Sequence, residues 1–588
     1  ARFANLMRLR KNKEELHEQV GADRGDIEFD RTDDGKLHFR NISYTALASQ
    51  EPEPIEKLQP LAEFAGDHFN LRRKGMLRHL TTVEKVLRWK KSVIKTALLR
   101  GLPSEVNALA VQCFRWITGY MGDRASAKEH GSNLYRLVRT VCQAESRLAD
   151  EVYCQLMKQL TENEVPDSEI KGWRLMNVCT GCFPCSDQLY PYLSTFLYKT
   201  MTDTRPGPSP SAPQPRLSPL GAPPFRRAVW ARAALYRLQR MMDYGAEHEE
   251  RIRREVPLAM ELHAAEDTRP VLLQVFFMDG SSLYFPVESW TTFGDLTAMV
   301  ARRLNIRDHT PFALYEMSNT DENALPSHDR VLDTVAYWSR VHQEDAKAST
   351  ETQRGTYRLV FRVNLFFEVP ADERMALRLT YLQGVYDVMH NHYPVEESDA
   401  TALAAIKLQH DHRPATEREA KDHVALLSHF VPEKLLARLS KGPADAAGGV
   451  PLEFKLTTQI LEKHKGFAKL SIRECELEYL RVIQEWQWYG SAFFAAEYEP
   501  RPEELVDIIL AVNPKGVMIV DPATKGVLAF YAYSEIPQWG FDVKKEEFSM
   551  RVETPTKKET MRFITEDGKE INFLIKAYVD YIVAKASS

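Results

Sequence analysis

From about residue 58 to 203, apolar residues recur at three- and four-residue steps, the spacing of one buried helix face. In LPSEVNALAVQCFRWITGYMGD the stripe is Val106, Leu109, Ala110, Cys113, Phe114 and Ile117. LADEVYCQLMKQLTEN continues it with Val152, Leu156 and Leu160, and IKGWRLMNVCTGCF with Trp173, Met176, Val178 and Cys179. DQLYPYLSTFLYKTM predicts a further helix with Pro191 near its first turn, where a missing N–H costs nothing. This stretch reads as one all-helical domain. Residues 204–224 then hold eight prolines, a composition that predicts an exposed, partly extended insert. A basic helical pattern resumes at RRAVWARAALYRLQRMM, so 204–264 reads as insert plus connecting helix.

From about residue 270 the period becomes two. PVLLQVFFMDGSSLYFPV predicts strand, Asp279-Gly280 turn and strand. TTFGDLTAMVARRLNI predicts a helix capped by Thr291 or Thr292. Strand, hairpin, strand and helix open a ubiquitin-like fold, placed at 265–350. Residues 351–485 begin with YRLVFRVNLFF and turn helical. Residues 486–588 hold short strands closed by the amphipathic helix EINFLIKAYVDYIVAKA, the order of a pleckstrin-homology or phosphotyrosine-binding barrel. Residues 1–57 are polar and weakly patterned, with a hairpin suggested around Asp34-Gly35. The fold class is thus multidomain, α and α+β.

Composition changes little in this picture. The 588 residues are 44% hydrophobic and 27% charged with net charge −5, ordinary values for several globular units. No apolar run approaches the length of a membrane span. No signal peptide is visible, and the absent initiator Met suggests a segment of something longer. Seven cysteines, six before residue 190, do not suggest a disulfide framework, which favours a reducing, intracellular setting.

YMGD (120–123), DEVYCQLMKQLTEN (150–163), KGWRLMNVCTGCFPCSDQLYPYLSTFL (171–197) and VFFMDGSSLYFPV (275–287) resemble the myosin-tail-homology-4 plus FERM tandem. That tandem occurs in the tails of unconventional myosins of the class-seven and class-ten types. It also occurs in a plant-type calmodulin-binding kinesin and in some motorless scaffolds. The resemblance implies a three-lobed FERM clover: ubiquitin-like, helical (acyl-CoA-binding-protein-like) and PH/PTB-like. It also implies a binding role rather than an enzyme, at the cytoskeleton, cell cortex or filopodia. The implied partners are cytoplasmic tails of membrane or adhesion proteins, microtubules, and the parent motor in an autoinhibited state. A phosphoinositide surface on the clover is a further candidate, although no basic cluster singles itself out for it.

Three constellations carry candidate chemistry. Cys179, Cys182 and Cys185 have C-x-x-C-x-x-C spacing, but no second pair completes a four-ligand site. They read as core thiols, with no metal and no cofactor expected. His390, His392, His410 and His412 form two H-x-H pairs that read as solvent-facing helix ends or loops. Residues 71–100 hold ten Lys or Arg against one acidic residue, Glu84. Of these, Arg72, Arg73, Lys74, Arg78, Arg88, Lys90, Lys91 and Lys95 are the candidate contacts to an anionic polymer. Microtubules are expected before nucleic acid, because no aromatic platform or base-reading motif accompanies the charge. No phosphate-binding loop, nucleophile elbow or dinucleotide fingerprint is present, and SKGPADAAGG (440–449) reads as a loop. Finally, a peptide is expected to add as a strand in the last lobe, between strand 526–536 and helix 571–585. Leu528, Phe530, Tyr531, Leu574 and Tyr578 are its candidate contacts.

Overall fold

The computed structural model describes residues 51–588 except 72, 75–78, 81, 126–129, 145, 204–226, 249–252, 254, 319–321, 349–356, 371, 415, 425–426, 441–450, 502–503 and 588. It also describes two short strands before residue 51. These are β1 (Phe29–Arg31) and β2 (Leu37–Phe39), paired antiparallel with Phe29 opposite Phe39, as the hairpin reading requires. The Asp34-Gly35 turn itself, the proline-rich insert, Arg72, Arg78 and most of the 440–449 loop lie outside the described residues.

The helical unit contains α1 (Leu61–His68), the strand pair β3 (Arg73–Lys74) and β4 (His79–Leu80), α2 (Val83–Leu87), α3 (Ser104–Met121), α4 (His130–Cys142), α5 (Ser146–Leu160), α6 (Pro166–Cys182) and α7 (Tyr190–Thr202). The apolar stripes read from sequence meet here: Cys113, Ile117, Val152, Leu156, Trp173 and Met176 share one core. Leu109 does not join it and stays exposed. Helix α8 (Arg227–His248), expected as a connector, packs along α6 and α7. Its Trp230, Ala231, Ala234, Leu235 and Leu238 enter the same core, as does Leu262 of α9 (Ala259–Glu266). Small residues on one face of α8 let the helix approach closely, so it is a member of the helical unit.

The next sheet contains β5 (Val271–Phe276), β6 (Ser282–Val287), β7 (Phe312–Met317), β8 (Glu322–Ala324) and β9 (Arg358–Val363), in the order β6-β5-β9-β7-β8. The Asp279-Gly280 hairpin forms as expected, with Gly280 at φ 80 and Phe276 opposite Ser282. Helix α10 (Phe293–Arg303) starts at Thr292, whose hydroxyl and Asp295 form a capping box, and α11 (Val331–Ala348) follows. β9 overturns the expectation that YRLVFRV opens the helical lobe. It pairs parallel with β5 and antiparallel with β7, in the middle of this sheet. A division at 350/351 would cut the sheet in two.

The middle lobe is helical: α12 (Arg374–Met389), α13 (Glu397–Asp411), α14 (Glu417–Val424), α15 (Glu433–Leu439), α16 (Leu452–Phe467) and α17 (Ile472–Gln484). Tyr381, Leu403, Ile406, Tyr479 and Ile483 form its centre. The last lobe is an antiparallel sheet of β10 (Ala492–Arg501), β11 (Glu504–Asn513), β12 (Gly516–Val520), β13 (Val527–Ala532), β14 (Gln538–Asp542), β15 (Glu547–Glu553) and β16 (Lys558–Ile564), followed by α18 (Gly568–Ser587). Its strand order is β13-β12-β11-β10-β16-β15-β14, which leaves β13 and β14 at the two edges.

Candidate functional sites

The first candidate site is built on α5. Three polar side chains of this buried helix, Glu151, Lys158 and Gln159, hold the basic segment that precedes α3, and Gln155 braces the first of them. The Glu151 carboxylate accepts the N–H groups of Leu98 and Leu99 at 2.8 and 2.7 Å, and Gln155 donates to it at 2.8 Å. The Lys158 ammonium donates to the carbonyls of Val86, at 2.7 Å, and Arg88 at the C-terminus of α2. There it meets the negative end of the helix dipole. Gln159 accepts from the Lys90 N–H and donates to the Lys90 carbonyl, at 3.2 and 3.1 Å. Trp89 is anchored by its indole N–H to Asp123 at 3.1 Å. Burial pushes the Glu151 carboxyl up to about 7, against the hydrogen bonds that favour its charged form. Burial, and secondarily the charge of Lys90, brings Lys158 down to about 8.

With its backbone held this way, the segment turns its cations outward. Arg88, Lys90, Lys91 and Lys95 are all exposed. Among the described residues, Arg88 alone of these four has an ion pair, to Glu162 at 2.7 Å across an exposed surface. Arg73 and Lys74 lie on β3, and only their backbone is described. The sequence reading identified the charges but missed their supports: Glu151, Lys158 and Gln159 read as the polar face of an amphipathic helix. No signal in the helix itself separates them from a solvated face.

The three-cysteine motif lies at the junction of the helical unit and the first sheet. Cys179, Cys182 and Cys185 are buried and in no disulfide, and burial holds the first two thiols well above their ordinary range. The Tyr153 hydroxyl donates to the carbonyls of Cys179 and Phe183 at 3.0 and 2.6 Å. Across the same junction, the buried Arg237 guanidinium donates to the Asn177 carbonyl at 3.1 Å and pairs with Glu288 at 3.4 Å. Burial pushes Glu288 up to about 7 although Arg237 opposes the shift. Arg253 donates to Asp333 at 2.7 Å and to Glu261, which also accepts from Ser289 at 2.6 Å. Arg330 lies 4.0 Å over the Tyr244 ring. A charged network with this much burial is costly to open by removing one partner.

The histidines divide. His412 is exposed, as expected. His390 stacks on Tyr386, with ring centroids 3.9 Å apart, and His392 reaches Asp387 at 3.1 Å. His410 is buried, contrary to expectation. It packs on Tyr381 and lies among Arg378 at 2.6 Å, Asp411 at 2.7 Å and Glu476 at 3.5 Å. The reason is helical phase: α13 turns His410 inward one residue before the charged end at Asp411.

The five expected peptide contacts do not line one groove: Tyr531, Tyr578 and Leu574 meet at the barrel core, whereas Leu528 and Phe530 lie outside it. β13 does lie at an edge, but α18 packs on β14 and β15, at the opposite end of the strand order. Gly568 at the start of α18 lies against the Phe541 ring of β14, where a Cβ would collide. Tyr531 points into the barrel at 8% exposure, whereas Leu528 and Phe530 project from its outer face at 60% and 46%. Tyr578 is fully buried. Its hydroxyl accepts from the Phe366 N–H at 3.4 Å, and its ring lies 5.5 Å from Phe367. Tyr581 stacks on Phe367 at 4.3 Å and donates to Asp308 at 3.0 Å. Neighbouring lobes therefore cover part of the broad apolar face of α18. Leu574 is half-buried beside the barrel core, and the free strand edge nearest the helix is that of β14.

The helical unit and the three lobes match known families in chain order. Residues 136–264 match the MyTH4 domain and 269–365 an RA-like domain. Residues 370–494 match the FERM central domain and 496–583 the IRS-1-type PTB domain. The chain is thus a MyTH4–FERM tandem. Myosin-VIIa of Drosophila melanogaster is 24% identical over 558 residues, covering 93% of this chain and 24% of that protein. The chain thus spans about a quarter of that relative's length. The solved MyTH4-FERM MF1 domain of Dictyostelium discoideum myosin VII superposes with a TM-score of 0.65 at 21% identity, covering 89% of this chain and 97% of that one. The C-terminal MyTH4-FERM domain of human myosin 7b, solved in complex with the harmonin-a PDZ3 domain, gives 0.61 at 21% identity, covering 91% and 98%. Plant kinesin-like proteins match more weakly. Among the described residues, no helix is long and apolar enough to cross a membrane.

Proposed function

We propose that this chain is the cargo-binding tail region of an unconventional myosin, a binding region that carries no catalytic site of its own. It would link an actin-based motor at the cell cortex or in filopodia to the cytoplasmic tails of membrane or adhesion proteins and to microtubules. The observation that carries the reading is the stapled basic segment. Arg88, Lys90, Lys91 and Lys95 are exposed while buried side chains of α5 fix their backbone. A fixed cationic surface suits the acidic, flexible tails of tubulin: it speeds encounter and loses strength with salt. Changing Arg72, Arg73, Lys74, Lys90 and Lys91 to Glu is expected to abolish microtubule co-sedimentation at low salt and to leave peptide binding by the third lobe unchanged. Full binding by that variant would remove the patch from the account.

Cargo peptides would add as a strand to the free edge of β14, beside α18, since backbone groups at a sheet edge accept a further strand. This location replaces the groove at β13. In NMR with a captured cargo tail, perturbed resonances are expected in β14 and α18. Signals confined to the first or second lobe would refute it. The same surfaces would serve to fold the tail back on its own motor. The plant kinesin matches support a second reading, a kinesin tail, and the motor encoded by the same gene decides between the two.

A further inference from the structure

Residues 51–59, EPEPIEKLQ, run across α7 and α8 with no helix or strand of their own. Pro52 and Pro54 fix their own φ and bias Glu51 and Glu53 toward extended backbone, so the segment is set straight before it touches anything. Gln239 of α8 grips it. The Gln239 amide accepts the Glu53 N–H at 2.8 Å and donates to the Glu53 carbonyl at 2.9 Å, as a neighbouring strand would. Gln239 is only 4% exposed, so a buried amide gives both its functions to the backbone of one residue. Further along, Thr195 of α7 accepts the Gln59 N–H at 2.8 Å, and Ile55 packs on the helical core.

Charge is added to this backbone grip. Arg232 pairs with Glu51 at 3.2 Å and Arg240 with Glu53 at 2.8 Å. The spacing of Arg232, Tyr236, Gln239 and Arg240 places them on one side of α8. Ala231, Ala234, Leu235 and Leu238 anchor the helix in the core from another side, so the grip keeps its shape without the segment. The Arg240 guanidinium lies 5.7 Å over the Tyr236 ring, which meets Trp290 of the first lobe at 6.0 Å. The segment itself is lightly held. The Glu51 and Glu53 side chains are 73% and 66% exposed, and exposed ion pairs contribute little. Among the described residues, the Nε–H groups of Arg232 and Arg240 have no acceptor, although a guanidinium can hold a carboxylate through two parallel bonds.

We propose that this α7–α8 surface is a binding site for acidic, proline-flanked extended peptides, which residues 51–59 occupy in cis until a partner protein with the same Glu-Pro-Glu-Pro chemistry displaces them. The geometry selects that ligand. Gln239 takes an N–H and a C=O of one residue, which an extended chain offers and a helix has already used internally. Arg232 and Arg240 take carboxylates two residues apart, which lie on one side of an extended chain. The flanking prolines lower the entropy lost on binding. The site is separate from the β14 edge and does not rest on the basic segment before α3.

The test uses the whole chain and a fluorescein-labelled synthetic peptide with the sequence of residues 51–59. In the double variant Glu51→Lys, Glu53→Lys, the two arginines repel the chain's own segment and the site stands open. That variant is expected to bind the peptide at least roughly tenfold tighter than the unaltered chain, as it does if the open site is at most about a tenth of the native population. Adding Gln239→Leu should abolish binding, and so should a peptide with lysine in place of both leading glutamates. A second measurement needs no variant. In the unaltered chain, a large excess of unlabelled peptide is expected to speed hydrogen exchange of the Glu53 and Gln59 amides. Equal affinity in the two chains, no binding to either, or amides that stay protected under that excess would overturn the proposal. Binding that survives both Gln239→Leu and the lysine peptide would overturn it as well.

Discussion

Helix α5 and the outer face of β10–β13 are opposites. The helix buries polar groups, Glu151, Gln155, Lys158 and Gln159, where apolar residues would cost less. The sheet exposes apolar groups, Phe493, Leu528 and Phe530, where polar residues would serve solubility. Buried polar groups persist when each has its hydrogen-bond partners. Here the partners are backbone groups of an irregular basic segment that would otherwise pair with water. Exposed apolar groups that cluster mark contact surfaces, as Leu528 and Phe530 do on the β13 edge. One inversion thus shapes a surface from beneath, and the other is itself a surface.

The comparison can be broken most severely at the buried charges. Arg237→Ala is expected to destabilise the chain by about 3–5 kcal/mol in urea unfolding, because Glu288 is left buried without its cation. Glu151→Ala should cost about 2–4 kcal/mol by orphaning the Leu98 and Leu99 N–H groups. Glu151 also sets a pH dependence. Its carboxyl titrates near 4.5 when unfolded and near 7 when folded. The folded state therefore holds the extra proton between those values, and stability should fall as pH rises from about 4.5 to 7. Thermal melts across that range check the sign, and the dependence should shrink in Glu151→Gln. Cys182→Ser should cost about 1–3 kcal/mol, for a hydroxyl buried without a good partner, equally with or without a chelator. A chelator-induced unfolding transition would contradict the core-thiol assignment. At the smallest end, Lys91→Glu and Lys95→Glu together should change stability by less than about 0.5 kcal/mol while weakening co-sedimentation with microtubules. This separates the charges from the helix that holds them.

Local signals carried much of the architecture in the sequence. The Asp279-Gly280 hairpin, the Thr292 cap, the Pro191 helix start and the stripes of α3 (apart from Leu109) and α6 depend on residues near one another, and they form as read. What escaped depends on distant partners. β9 looks like the start of a new lobe because its parallel partner β5 lies some 80 residues earlier, and no local spacing announces parallel pairing. The polar side of α5 looks solvated because the segment it holds has no periodicity. For the candidate sites, the exposed cations could be read directly from charge, although only backbone is described for Arg73 and Lys74. The peptide groove could not, because the apolar surplus of α18 faces Phe366, Phe367 and Asp308 from other lobes, and the edge strand it flanks is β14.

The contacts of α18 also bear on how the clover forms in time. Tyr578 meets Phe366 across 212 residues of chain, and Tyr581 meets Asp308 across 273. Closing loops of that length is entropically costly before any contact repays it, and folding slows as contacts become less local. The β10–β11 hairpin and the helix pairs of the middle lobe need no such closure. The lobes should therefore acquire structure first and lock together last, through one helix, with the tyrosines of α18 buried in the slow phase. Stopped-flow fluorescence with Tyr581→Phe would then change the final phase of refolding and leave the early phases alone.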